Sequence, residues 1–157
     1  MTNLQADSHG SPAPAIRTSV ETTSMALFSL LGRALLTVVF FVSVPSHFGP
    51  VDLRYAVAAG VPFAKLVVPA TGLLALIGSI SVLLGYRAKL GGWLLVLFLV
   101  PVTLVMHQFW SAKDAMMAQL QMGMFIRNVS IIGGALLISQ FGAGPWSLDA
   151  RRNSPRS

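Results

Sequence analysis

The chain has 157 residues, of which 54% are hydrophobic and only 10% are charged. A soluble domain carries about a quarter charged residues, so this composition indicates an integral membrane protein. The net charge of +6 then marks the cytoplasmic side of a membrane protein rather than a nucleic-acid surface. The absence of cysteine excludes disulfides and thiolate-bound metal clusters.

Residues 1–24 are rich in Ser, Thr, Pro and Ala and show no apolar period, which predicts a disordered N-terminal tail. A cleaved signal peptide is the alternative for the apolar run that follows, because Ser43 to Ser46 faintly resembles a cleavage site. Arg33 interrupts the apolar core, and the tail is long for a signal peptide. We therefore favour a membrane span for this run.

Four apolar runs follow the tail, at about residues 25–44, 62–84, 90–109 and 119–141. Each is about 20 residues long, the length that a helix needs to cross the hydrocarbon core. Backbone groups in lipid must be satisfied within the segment, which requires helices here. The sequence thus predicts an all-α integral membrane protein, a four-transmembrane-helix bundle over residues 25–149, with a basic tail at residues 150–157.

Lysines and arginines are unevenly divided between the two sides of the four predicted spans. The side of the first and third loops carries three: Arg54, Lys65 and Lys113. The side of the termini and the second loop carries seven: Arg17, Arg33, Arg87, Lys89, Arg151, Arg152 and Arg156. Because positive loops stay inside, this division predicts that both termini are cytoplasmic.

Polar residues gather toward the opposite, outer side of the predicted bundle. Arg127 lies within the fourth span, where a charge costs roughly 2.5–3.5 kcal/mol on insertion scales. It shares a helical stripe with Gly123, Ser130 and Gly134, which predicts that it points into the bundle. We take the outer polar layer as the candidate ligand-binding site, with six residues: His47, His107, Gln108, Trp110, Arg127 and Asn128.

A second candidate lies on the cytoplasmic side, where Arg33 is about two turns inside the first span. One interpretation is that its side chain extends to the lipid head groups. The other is a structural ion pair with Asp149, which follows the fourth span on the same side.

Sequence signatures of common enzymes are missing. The chain has no Gly-x-Ser-x-Gly, no phosphate-binding loop and no His-Glu-x-x-His motif. We therefore predict no catalytic residue and lean toward a protein without catalytic activity of its own. His47 and His107 lie on separate helices, so a structural role is favoured over haem or copper ligation, and no metal site is predicted.

Several segments, in order, resemble the DoxX family over about residues 27–149. They are GRALL (32–36), residues 58–92, MHQFW (106–110), FIRNVSIIGGALL (125–137) and GAGPWSLD (142–149). The resemblance implies a four-helix protein of the bacterial cytoplasmic membrane, an accessory subunit of a quinone-linked redox system. Its partners would be a redox-enzyme subunit or further copies of the chain.

The same resemblance makes a quinone the candidate ligand. His107 and Arg127 would bind a quinone carbonyl oxygen, which gains negative charge on reduction, and Trp110 would pack against the ring. The chain departs from the family in having Ala75 where an acidic residue is expected and His47 where a lysine is common. Two alternatives stay open: a non-catalytic assembly protein and, less favoured, a small transporter.

Overall fold

The computed structural model describes residues 14–153, so predictions on residues 1–13 and 154–157 lie outside the described part. All regular secondary structure between residues 14 and 153 is helical. Two short 3₁₀ segments, Val44–Phe48 and Phe109–Ser111, interrupt the α-helices. The six α-helices are α1 (Pro14–Ser43), α2 (Pro50–Ala58), α3 (Ala64–Leu84), α4 (Ala88–Met106), α5 (Ala115–Phe141) and α6 (Leu148–Asn153).

Four of the helical segments are long and apolar enough to cross a membrane: Glu21–Phe48, Ala64–Leu84, Ala88–Ser111 and Ala115–Phe141. This confirms the predicted class, an all-helical protein with four candidate membrane spans. The helix bounds differ from the prediction in several places. Helix α1 already includes residues 14–24, which the sequence predicted as disordered, and the short helix α2 was not predicted.

Small residues let α3 and α4 approach closely. A Cβ at Gly78 would lie 2.9 Å from Leu95 Cδ2, and one at Gly91 would lie 2.6 Å from Ser81 Oγ. The sequence places mostly small residues at steps of four and three along one stripe of α3 that begins at Thr71. This stripe is the packed face, because its later members are all buried: Ala75, Gly78, Val82 and Gly85. Close backbone approach through small residues is the usual way that membrane helices pack.

Helix α5 packs on α4 through a different face from the predicted one. Its buried residues are Asn128, Ala135 and Ser139. A Cβ at Gly92 of α4 would lie 2.7 Å from the Ala135 carbonyl oxygen. Gly123, the first residue of the predicted inner stripe, has no neighbour near its Cβ position, so that end of the stripe is not packed.

Helices α1 and α5 meet along a narrower seam. A Cβ at Gly134 would lie 2.6 Å from Leu36 Cδ1, so the two helices are in close contact there. Toward the chain termini, Ser29 Oγ donates a hydrogen bond to the Ala143 carbonyl at 2.5 Å. This bond ties α1 to the segment between α5 and α6.

Candidate functional site

A cavity of about 320 Å³ lies between α1, α3, α4 and α5, toward the end of the bundle that carries α2. Its walls are mostly apolar, and it is partly open to the surroundings. The main apolar lining residues are Val39, Phe40, Val68, Phe98, Leu99, Val102 and Ile131.

Two prolines inside membrane helices border this cavity. Pro101 of α4 lines it directly, and Pro69 of α3 directly follows Val68, which also lines it. A proline in a helix interior removes one backbone hydrogen bond and distorts the helix locally. The regular hydrogen bonding of α3 and α4 is therefore interrupted at the level of the cavity.

Arg127 brings a positive charge to the cavity. Its residue is exposed and lines the cavity, whereas the next residue, Asn128, is only 3% exposed. The Arg127 guanidinium donates a long hydrogen bond, 3.4 Å from Nη2 to Asn128 Oδ1. Arg127, Ile131 and Gly134 follow at i, i+4 and i+7, so Arg127 shares the face of α5 that meets α1 at Gly134.

His47 is fixed at the rim of the same cavity. Its Nδ1 lies 3.3 Å from Asp52 Oδ2 and 3.2 Å from the Ser43 carbonyl oxygen. The Asp52 carboxylate also accepts a 2.6 Å hydrogen bond from Ser46 Oγ. The His47 ring packs against Phe98, with ring centroids 5.7 Å apart. The Cβ of His47 would lie 2.6 Å from a Cβ added at Gly72.

His107 belongs to a hydrogen-bonded chain that joins three elements. Its Nδ1 lies 2.9 Å from Gln121 Oε1 on α5. The Gln121 amide in turn donates a 2.8 Å hydrogen bond to the Tyr55 hydroxyl on α2. This series of hydrogen bonds connects α2 to the ends of α4 and α5 and so fixes one side of the cavity mouth.

The structure brings four of the six predicted site residues to the cavity: His47, His107, Arg127 and Asn128. The other two do not line it. Trp110 is 57% exposed and packs edge-on against Phe109 and Phe125, with centroids at 5.0 and 5.9 Å. Gln108 is exposed and contributes its carbonyl to a hydrogen bond from Ser111.

Asp52 and Tyr55 also line the cavity, and sequence reasoning missed both. They lie on α2, which was not predicted because it is only nine residues long. A signal was present, since Gly49-Pro50 followed by an acidic residue in the first turn is a helix-start pattern.

Arg33 and Asp149 lie near the same end of the bundle but bind different groups. Arg33 is 2% exposed, and its guanidinium donates to the carbonyl oxygens of Leu83, at 3.1 Å, and Trp146. Its Nε also donates to the Ser29 carbonyl at 3.4 Å. Backbone oxygens inside the bundle therefore accept the hydrogen bonds of Arg33, and its guanidinium does not extend to the lipid surface.

Asp149 instead caps the start of α4. Its carboxylate accepts hydrogen bonds from the backbone N–H groups of Arg87, at 2.8 Å, and Ala88, at 2.9 Å. Its own N–H donates to the Gly85 carbonyl at 2.8 Å. The structure therefore does not pair Arg33 with Asp149, because each of the two side chains is bound to backbone groups instead.

Fold and site together define a multi-pass helical membrane protein with a mostly apolar cavity at one end of its bundle. The chain belongs to the SURF4 family, whose sequence profile matches residues 13–154. It is similar to the ER-derived vesicles protein ERV29 of Saccharomyces cerevisiae, with 33% identity over 82 residues. The match covers 52% of this chain and 26% of the yeast protein, about a quarter of that relative's length. No solved structure matches the chain.

These matches correct three predictions. The resemblance to the DoxX family is wrong, since the family shown is SURF4. The predicted accessory subunit of a quinone-linked redox system, with a redox enzyme as partner, falls with that resemblance. The predicted location in a bacterial cytoplasmic membrane is contradicted as well, because the similar protein belongs to ER-derived vesicles of a eukaryote.

Proposed function

We propose that this protein is a cargo-receptor-type membrane protein of ER-derived vesicles, which binds a ligand in the cavity between α1, α3, α4 and α5. Membership of the SURF4 family and similarity to an ER-derived vesicles protein support the location. The observation that carries the binding role is the cavity itself. Its volume of about 320 Å³ falls in the range of about 300–1,000 Å³ typical of small-molecule sites.

The lining of the cavity supports a binding role. Ligand sites are mostly apolar and carry a few polar groups that orient the ligand. Here the apolar walls are joined by the imidazoles of His47 and His107 and the guanidinium of Arg127. Both imidazoles are held by neighbouring side chains, so little side-chain ordering is needed when a ligand binds.

The proposal includes an orientation, with both termini in the cytoplasm. Basic residues concentrate at the end that carries Arg87 and Arg152, and positive loops remain cytoplasmic. The cavity lies toward the other end, which would then face the vesicle lumen. A receptor for material enclosed in a vesicle needs its binding site on that face.

Orientation can be tested directly, because the chain contains no cysteine and every introduced thiol is unique. Lys113→Cys and Arg151→Cys place a thiol at exposed positions near opposite ends of the bundle. In sealed microsomes a membrane-impermeant maleimide should label Arg151→Cys and should label Lys113→Cys only after detergent is added. The reverse pattern would contradict the proposed orientation.

Binding can be tested with a photo-crosslinking amino acid at two positions of α4. Val102 lines the cavity, whereas Leu97 is 63% exposed on the outer surface of the bundle and serves as the matched control. In ER-derived vesicles made from cells that express each variant, position 102 should yield an adduct that position 97 does not. Identical adducts at both positions, or absence of the protein from the vesicles, would refute the proposal.

A further inference from the structure

Within the part of the chain that the structure describes, the cavity contains a cation, Arg127, that is not paired with a carboxylate. Arg127 lies about 18 Å of helix rise from Ala115 and about 21 Å from Phe141, well inside the fourth span. The Arg127 guanidinium has five N–H donors, yet the hydrogen bond that it donates is the long one to Asn128. Asp52 is the carboxylate that lines the cavity, and it is bound to Ser46 and His47 instead.

The apolar part of the cavity adjoins this cation. Ile131 lies one turn along α5 from Arg127 and lines the cavity opposite Val39 and Phe40 of α1. The seam between α1 and α5 is tight at Leu36 and Gly134, closer to the termini. Beyond that point residues of both helices line the cavity, which is partly open to the surroundings, so a chain-like molecule can enter it.

We propose that the cavity binds the acyl chain of an anionic amphiphile and that the Arg127 guanidinium binds its anionic oxygens. The inference rests on the proposed function in that it takes the cavity as a ligand site. A guanidinium binds carboxylate or phosphate oxygens through two parallel hydrogen bonds, which suits both a fatty acid and an anionic phospholipid. Such a ligand supplies the negative charge that a membrane-embedded arginine needs and fills the apolar volume beside it.

The test uses the full chain in nanodiscs of phosphatidylcholine, with added deuterated oleate in one arm and deuterated phosphatidylserine in the other. Native mass spectrometry measures how much of each probe stays bound when the protein is released. Arg127→Gln should lower retention about 10- to 100-fold, the loss expected for hydrogen bonds to a charged group. Arg54→Gln is the matched control, because Arg54 is exposed on α2 and does not line the cavity.

A second variant separates the cavity from the charge. Ile131→Trp places a larger side chain in the apolar volume and leaves Arg127 in place, so it should also lower retention. Arg127→Lys keeps the charge without the two-pronged geometry and should retain an intermediate amount, which shows that a loss in Arg127→Gln is not misfolding. Retention of oleate alone or of phosphatidylserine alone would identify a free fatty acid or an anionic phospholipid as the ligand, and either supports the inference.

Two results would overturn it: retention that is equal in the wild type and Arg127→Gln, or no retention of either probe by the wild type. Failure here is distinguishable from failure of the proposed function. If the adduct specific to position 102 persists while both probes fail to bind, the receptor role stands and only the ligand class is wrong.

Discussion

Removing the Asp149 carboxylate should release the C-terminal segment from the start of α4. Asp149 accepts hydrogen bonds from the N–H groups of Arg87 and Ala88, two of the donors that a helix leaves free at its first turn. The negative charge is also favourable beside the positive end of the helix dipole. Asp149→Ala leaves both donors without this partner and breaks a link between parts of the chain 62 residues apart.

The size of the effect follows from the number of bonds. Loss of one N-cap side chain costs about 0.5–2 kcal/mol, and Asp149 serves two N–H groups with a charged acceptor. We expect Asp149→Ala to lower the free energy of unfolding by about 2–4 kcal/mol, and Asp149→Asn by about half as much. Asp114 is the matched control, since it caps its own helix α5 through one 3.0 Å bond from Met117 N–H. Asp114→Ala should cost about 1 kcal/mol.

The assay is the free energy of unfolding of the full chain in bicelles, measured by steric trapping for the wild type and the three variants. Trypsin cleavage after Arg151 provides a second readout, because a released segment should be cut faster in Asp149→Ala than in Asp114→Ala. The reasoning fails if Asp149→Ala is no less stable than Asp114→Ala, or if its C-terminal segment is cut at the wild-type rate.

Three further predictions concern packing and buried polar groups, each measured as the free energy of unfolding in bicelles. Gly92→Ala should cost about 1–3 kcal/mol, because the added Cβ meets backbone atoms of α5. Gly133 has open space around it, so Gly133→Ala should be neutral or stabilising by up to about 1 kcal/mol. Equal effects of the two variants would contradict the packing of α4 on α5. Arg33→Met should destabilise by about 3 kcal/mol or more, because two carbonyl oxygens from distant segments lose a charged donor, and a wild-type value would show that those bonds contribute nothing. Tyr55→Phe should cost about 0.5–1.5 kcal/mol through the lost bond from Gln121. Gln121→Leu should cost more, because it also removes the bond to His107, and the double variant should cost less than the sum of the two single variants.

The membrane class and the face of α3 could be predicted because both depend on local patterns. Length and hydropathy decide whether a helix can span, and the spacing of Ala75, Gly78 and Val82 decides which side of α3 packs. Helix α5 offered more than one such stripe. The stripe through Gly123 and the one through Asn128 look alike in sequence, and only contact with α4 selects the second.

The site was predicted in part for a related reason. Arg127 and His107 stand out because polar residues in spans are rare, but their partners come from elsewhere in the chain. Tyr55 reaches Gln121 across 66 residues, and no spacing rule predicts such a pair. Trp110 was included because it lies next to His107 in sequence, but it packs on a neighbouring aromatic cluster instead.

The mistaken family resemblance has a physical origin as well. Its segments consist of glycines at helix contacts, tryptophans at interfaces and isolated arginines, and any small membrane bundle uses such residues for similar reasons. Short segments of this kind therefore indicate a four-helix bundle better than they distinguish one such family from another. Similarity over most of the chain, as in the match to residues 13–154, is needed for that distinction.

The positions of the Arg33 acceptors in the chain determine when the bundle can close during synthesis. Its acceptors at Leu83 and Trp146 are synthesised 50 and 113 residues later, so α1 emerges from the ribosome with a cation that still lacks them. Until they arrive, water or lipid head groups must solvate the charge, which keeps this part of α1 close to the membrane surface. Because Trp146 supplies one of these acceptors, the bundle can close around Arg33 only after the segment that contains Trp146 has been synthesised.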